Sequence, residues 1–187
     1  MLREGRVGGS AGTLEIEGVA LLHLSSHADA RGSLTEIFRR EWIPSARDMV
    51  QANLSISRPG VLRGLHFHRR QADYWCVLSG TAFVGLIDLR TGSPTDGTKA
   101  ELRLAAEEER FGLYLPPGVA HGFYAESELV LQYLVDAPFT GEDEFGLAWD
   151  DPEVGIAWPA SDPLVSERDR SNPSLAQVLA DAPRFER

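Results

Sequence analysis

Residues 60–80 read GVLRGLHFHRRQADYWCVLSG, and the run that follows, 81–90, reads TAFVGLIDLR. Both are short apolar runs rich in Val, Leu, Phe, Tyr and Trp, bounded by Gly, Ser and Asp, the composition of β-strands. Ser79-Gly80 between them predicts a hairpin turn. His66 and His68 lie two apart in GLHFH, so on a strand they point to one face and can line one side of a barrel together. On either side of this stretch, runs of the same kind recur roughly every ten residues: LEIEGVALLHL, SLTEIFRREW, MVQANLSI, AELRLA, FGLYLPP, GFYAE and ELVLQYLVD. About ten such strands separated by Gly, Pro, Asp and Ser predict an all-β fold, a sandwich or barrel. TGSPTDGT is a loop, and the Pro116-Pro117-Gly118 turn aims His121 from the start of the next strand. Beyond Ala137 the chain becomes loop-like, with one short helix expected near 174–179 and Ser174 as its N-cap.

The chain has 187 residues, one domain's worth. Residues 1–13 are Gly-rich and polar and are expected to form a flexible lead-in to a single domain over 14–187. The net charge of −10 argues against nucleic acid or an anionic membrane as partner. No apolar run is long enough to span a bilayer, and the N-terminus lacks a signal-peptide apolar core. The single cysteine, Cys76, excludes an intrachain disulfide and a Cys-based zinc cluster, so a cytoplasmic location is expected. Of the 18 basic residues only Lys99 is a lysine, which leaves one candidate for lysine chemistry and many Arg forks suited to phosphate oxygens.

The spacing Gly60-x5-His66-x-His68-x4-Asp73-x6-Gly80, followed by Pro116-x-Gly118-x2-His121, resembles the two motifs of the cupin superfamily. That resemblance implies a double-sheet β-barrel, a jelly roll, here with a short helical C-terminal tail. Asp73 stands where metal cupins usually have Glu, while Arg110 and Ala125 replace the second motif's first Gly and final Asn. In metal cupins the matching residues, here His66, His68, Asp73 and His121, would bind one divalent ion such as Mn, Fe, Ni or Zn.

A more specific resemblance runs over residues 28–173. DARGSLTEIF, QANLSISRPGVLRGLHFH, DLRTGSPTDG, LPPGVAHGF, QYLVDAPF, LAWDDPEVGIAWP and SERD occur in the order and approximate spacing of the dTDP-4-dehydrorhamnose 3,5-epimerases. Such a reaction takes a proton from a carbon beside a ketone and returns one on the opposite face. It needs a base, an acid and donors for the enolate oxygen. The resemblance implies His66 as base, Asp169 as its orienting partner and Tyr133 as acid, with His121 near the dyad. Arg31 and Arg63 would hold the diphosphate, and Glu36, Gln51 and Asn53 would contact base or sugar.

Three positions depart from the family. His68 and Asp73 replace a Gln and an enolate-stabilising Lys, and Phe139 replaces a second Tyr. The first two changes together restore the cupin metal pattern. The main reading needs no cofactor. One alternative is a metal-binding cupin acting on a sugar nucleotide or another small molecule, and a second is a non-catalytic nucleotide-sugar binder. The family also implies a homodimer, with the LEIEGVALLHL strand pairing by its edge with the partner's sheet.

Overall fold

A computed structural model describes residues 14–185; the expected flexible segment 1–13 lies outside the described residues. Twelve strands follow one another along the described residues. They are β1 Ala20–His23, β2 Ser26–Asp29, β3 Gly32–Thr35, β4 Gln51–Ser57, β5 Leu62–Phe67, β6 Asp73–Ser79, β7 Thr81–Asp88, β8 Lys99–Ala105, β9 Phe111–Leu115, β10 Val119–Ala125, β11 Leu129–Val135 and β12 Phe145–Gly146. Two helices, α1 Glu167–Arg170 and α2 Leu175–Leu179, close the chain. Two five-stranded antiparallel sheets, β1-β9-β6-β11-β4 and β12-β5-β10-β7-β8, form the double-sheet jelly roll, and β2 and β3 make a separate hairpin.

The hairpin expected at Ser79-Gly80 does not form. β6 pairs with β9 and β11 in one sheet, whereas β7 pairs with β10 and β8 in the other, so Gly80 is the corner where the chain crosses between sheets. Gly80 has φ +84°, and a Cβ there would fall 2.0 Å from the Glu128 carbonyl oxygen, so only glycine makes this corner. A local turn signal looks alike whether the flanking strands pair with each other or part company. The first expected strand also shrinks, to Ala20–His23, and pairs with β9 of its own sheet. SLTEIFRREW contributes only β3 before the chain leaves for a 3-10 turn at Arg40–Trp42.

β6 reads as a continuous apolar run because both of its faces are covered. Trp75 and Val77 point between the sheets, where they meet Val84, Leu86, Leu104, Leu113, Phe123 and Leu131. Tyr74 and Cys76 point outward under the segment around Ile37–Met49, packed with Leu24, Ile43 and Tyr114, and the Tyr74 hydroxyl donates to the Ile37 carbonyl at 2.7 Å. Burial pushes the Cys76 thiol up to about 11, so it is an inert core residue. The outer face of the second sheet is covered by the C-terminal segment through Leu147, Val154, Ile156 and Val178. Helix α2 carries the expected Ser174 cap, completed by Gln177 as a capping box. α1 is a second helix that the Gly- and Pro-rich sequence did not announce.

The DLRTGSPT block is explained by one buried carboxylate. Asp88 accepts from the Arg90 backbone N–H, from Arg90 Nε at 2.7 Å and Nη2 at 2.8 Å, and from the Ser93 and Thr95 hydroxyls, each at 2.7 Å. Burial alone would push its carboxyl up, but these donors hold it below the usual carboxylate range. Arg90 in turn donates to the Glu17 carbonyl, tying the start of the described chain to the rim of the barrel.

Candidate active site

The two sheets diverge at one end around an open cavity of about 420 Å³, a size suited to a small organic ligand. Its walls come from both sheets, and strand register dictates which residues meet. On one wall Tyr133 of β11 is flanked by Trp75 of β6 and Asn53 of β4, and one row along Val135 is flanked by Asp73 and Gln51. On the other wall His66 of β5 lies directly opposite His121 of β10. β5 and β10 come this close because Gly64 faces Gly122: a Cβ on Gly64, which has φ +126°, would sit 2.6 Å from the Gly122 Cα. The Gly in RGLH is therefore a packing requirement that brings the two histidines together.

His66 Nε2 stands 2.6 Å from Asp169 Oδ1. A carboxylate only accepts, so Nε2 carries the proton and Nδ1 keeps the lone pair. Asp169 is nearly fully buried behind the imidazole. Its Oδ2 accepts from the Gly64 N–H at 3.3 Å, and its own N–H donates to Ser166, the N-cap of α1. Burial pushes the Asp169 carboxyl up, but the bond to His66, the Gly64 N–H and Ser166 outweigh it, and the group lies below the usual carboxylate range. Helix α1 thus exists to present this one acid. The Tyr133 phenol is raised by burial and by the charges of Asp73 and Glu144, against a lowering by Arg63, and so stays protonated at neutral pH. An oriented imidazole on one sheet and a protonated phenol on the other serve proton removal and return on opposite faces of one ligand.

Gln51, Asn53, Arg63, His121 and Phe139 also line the cavity. Gln51 Nε2 donates to Asn53 Oδ1 at 2.9 Å, the Phe139 N–H donates to Gln51 Oε1 at 3.2 Å, and Arg63 Nε donates to Ser57 Oγ at 3.1 Å. Arg31 and Glu36 do not join them. Arg31 sits at the tip of the β2–β3 hairpin with its side chain 89% exposed, paired with Asp29, and Glu36 pairs with Arg39 on the surface. Within one chain the structure therefore removes both from the substrate cavity. Lys99, exposed and bonded to the Gly155 carbonyl, is likewise remote. Trp75, Glu144 and Arg168 line the cavity and were missed. Arg168 was within sight, adjacent to Asp169 in SERD, whereas Glu144 lies in a loop with no periodic signal.

Of the four residues matched to the cupin metal pattern, His68, Asp73 and His121 bring donor atoms within 4.8 Å of one another. His66, bonded to Asp169, is not part of that group. Burial pulls the His121 imidazole down to about 4, partly opposed by Asp73, so it is neutral at pH 7.

A jelly-roll barrel whose cavity sets an Asp-oriented imidazole against a half-buried phenol has the arrangement expected of an epimerase-type isomerase of the cupin class. The comparisons narrow the class. The profile of the family described as dTDP-4-dehydrorhamnose 3,5-epimerase matches residues 13–177. An enzyme of that name from Sinorhizobium fredii is 38% identical over 175 residues, covering 89% of each chain. ChmJ, a 3'-monoepimerase from Streptomyces bikiniensis solved with dTDP-quinovose, superposes with TM-score 0.84 at 33% identity over 91% of both chains. RmlC from Legionella pneumophila, solved with dTDP-4-keto-L-rhamnose, gives TM-score 0.85 at 31% identity over 92% of this chain and 96% of that one. The chain belongs to the dTDP-4-dehydrorhamnose 3,5-epimerase family. No helix among the described residues is long and apolar enough to cross a membrane.

Proposed function

We propose that this protein inverts C3, C5 or both in a dTDP-linked 4-keto-6-deoxyhexose, with His66 as base and Tyr133 as acid. The observation that carries the reading is the placement of the Asp169-oriented His66 and the protonated Tyr133 on opposite sheets around one cavity. With the ketone bound between them, His66 Nδ1 takes the proton from the adjacent carbon and the electron pair moves into the carbonyl to give an enolate. Asp169 stabilises the imidazolium that forms. The Tyr133 hydroxyl then protonates the same carbon from the other face, the carbonyl reforms, and both side chains re-equilibrate with water through the open mouth. Arg63 supplies a guanidinium for phosphate oxygens, and Gln51, Asn53 and the exposed Phe139 ring form a polar and aromatic shelf for nucleotide or sugar. In D2O a dTDP-4-keto-6-deoxyhexose is expected to take up deuterium at C3 or C5 and to change configuration there, read by NMR. A folded protein that leaves both positions protiated refutes the reading.

The working unit in this reading is a homodimer. Arg31 and Glu36, which the family resemblance assigns to substrate, lie on a hairpin outside their own cavity, and Leu34 on that hairpin is 70% exposed. Leu54 and Ile56 on the outer face of edge strand β4 are also largely exposed. A second copy covering this face would bury the apolar side chains and carry each hairpin toward its partner's site. Light scattering is expected to give twice the chain mass. Mixing Arg31→Ala with His66→Ala protein is expected to restore part of the activity that each lacks alone. A monomer with full activity contradicts the arrangement.

A further inference from the structure

We infer that His68, Asp73 and His121 form a binding site for one divalent transition-metal ion in the floor of the cavity. His68 Nδ1 donates to the Asp143 carbonyl at 2.6 Å and His121 Nδ1 donates to the Val119 carbonyl at 2.9 Å, since a carbonyl can only accept. Each Nε2 is thereby left as the inward-facing lone pair. Both face one carboxylate: His68 Nε2 stands 3.8 Å from Asp73 Oδ1 and His121 Nε2 3.9 Å from Asp73 Oδ2. These separations are too long for hydrogen bonds, and among the described residues neither Nε2 makes one. Three acceptor atoms with no donor between them, on side chains 94–95% buried, repel one another unless a cation sits at their centre. Ligands about 2.0–2.2 Å from a shared ion stand about 3–3.5 Å apart, and the three donor atoms already lie within 4.8 Å of one another, so side-chain movement of about 1–1.5 Å closes the set.

The surroundings are those of a ligand shell. A metal-bound imidazole ordinarily donates its other N–H to a carbonyl or carboxylate, as both histidines do here. Asp73 is itself oriented, Oδ1 accepting from Gln71 Nε2 at 2.9 Å and Oδ2 from Trp75 Nε1 at 3.2 Å. Two imidazoles and a carboxylate favour Fe, Co, Ni or Zn over Mg or Ca, whose ligands are oxygens. His66 lies outside the group whose donor atoms converge, and its free Nδ1 is the lone pair assigned to the base; base and ion therefore do not compete for one imidazole. Bound, the ion would supply Lewis acidity toward a substrate oxygen in the cavity, a role that rests on the epimerase reading, whereas the binding site does not.

The test uses tag-free, chelator-stripped protein without substrate. Titration with Co2+ is expected to give ligand-field absorption saturating at one ion per chain, and Zn2+ to raise the melting temperature. In the Co2+ protein, proton NMR is expected to show two hyperfine-shifted exchangeable N–H resonances, from the His68 and His121 Nδ1 protons. Asp73→Asn and His121→Gln should weaken binding by more than about 100-fold, beyond the loss of an outer-shell partner, while His66→Ala should bind as the parent does. Absence of Co2+ absorption and of any Zn2+ stabilisation overturns the site. So does parental affinity in Asp73→Asn, or loss of binding in His66→Ala. Deuterium exchange is measured separately, so failure of the metal site and failure of the epimerase reading are told apart.

Discussion

Asp169→Asn is expected to lower kcat by about 10³–10⁴-fold, with a smaller change in KM. In the parent, the buried carboxylate accepts the His66 Nε2 proton at 2.6 Å and fixes the lone pair on Nδ1. An Asn amide can satisfy the Gly64 N–H through its oxygen, but it then turns its NH2 toward His66 and favours the opposite tautomer. It also withdraws the negative charge that stabilises the imidazolium formed when the sugar C–H proton is taken. The binding groups of the cavity are not touched, so the loss belongs to the chemical step. His66→Ala should be at least as severe and should abolish deuterium uptake as well as inversion. Stopped-flow rates and NMR exchange at C3 and C5 check both. Full activity in His66→Ala removes the base assignment, whereas a parent protein that binds the nucleotide sugar without any exchange supports the reading of the chain as a non-catalytic nucleotide-sugar binder.

Tyr133→Phe is expected to separate two events that the parent couples. Proton removal by His66 remains, and because the imidazolium exchanges with solvent, the same face of the carbon still takes up deuterium. Return of a proton from the other face fails, so net inversion falls by about 10²–10⁴-fold while exchange without inversion continues. Phe keeps the ring contacts on the β11 wall, so a changed KM is not expected. The phenol suits this duty because burial and the nearby Asp73 and Glu144 charges raise its pKa and keep its proton in place at neutral pH. Equal losses of exchange and inversion would show that Tyr133 is not an acid acting on the face opposite His66.

Much of the site was legible because the residues in question stand in short, rigid blocks. RGLHFH specified a strand that projects His66, with His68 one residue past its end at Phe67, and Gly64 within it is required by the close approach to Gly122. PPGVAHGF specified His121, and QYLVDAPF placed Tyr133 on a strand of alternating burial. These readings held because a strand's period of two fixes side-chain direction locally. Arg31 and Glu36 illustrate the opposite case. Their block has the family's order, yet whether a hairpin folds over its own cavity or stands away from it depends on packing that no local pattern encodes. Glu144 and Asp143 were silent for a related reason, since a loop that wraps the barrel has neither periodicity nor a fixed partner in sequence.

Local spacing and matching blocks were enough for the all-β class, most of the strand positions, the capped helix at Ser174 and the residues proposed as base, acid and orienting carboxylate, His66, Tyr133 and Asp169. How these were combined rests on long-range packing. The turn at Ser79-Gly80 became a crossing between sheets, which sets β6 in one sheet and β7 beside β10 in the other. The same packing also divided the four metal-pattern residues, binding His66 to Asp169 while aiming His68, Asp73 and His121 at one another. Which acceptor an imidazole nitrogen meets is settled by strand register and by segments nearly a hundred residues apart in the chain, and a single sequence carries no local trace of that meeting.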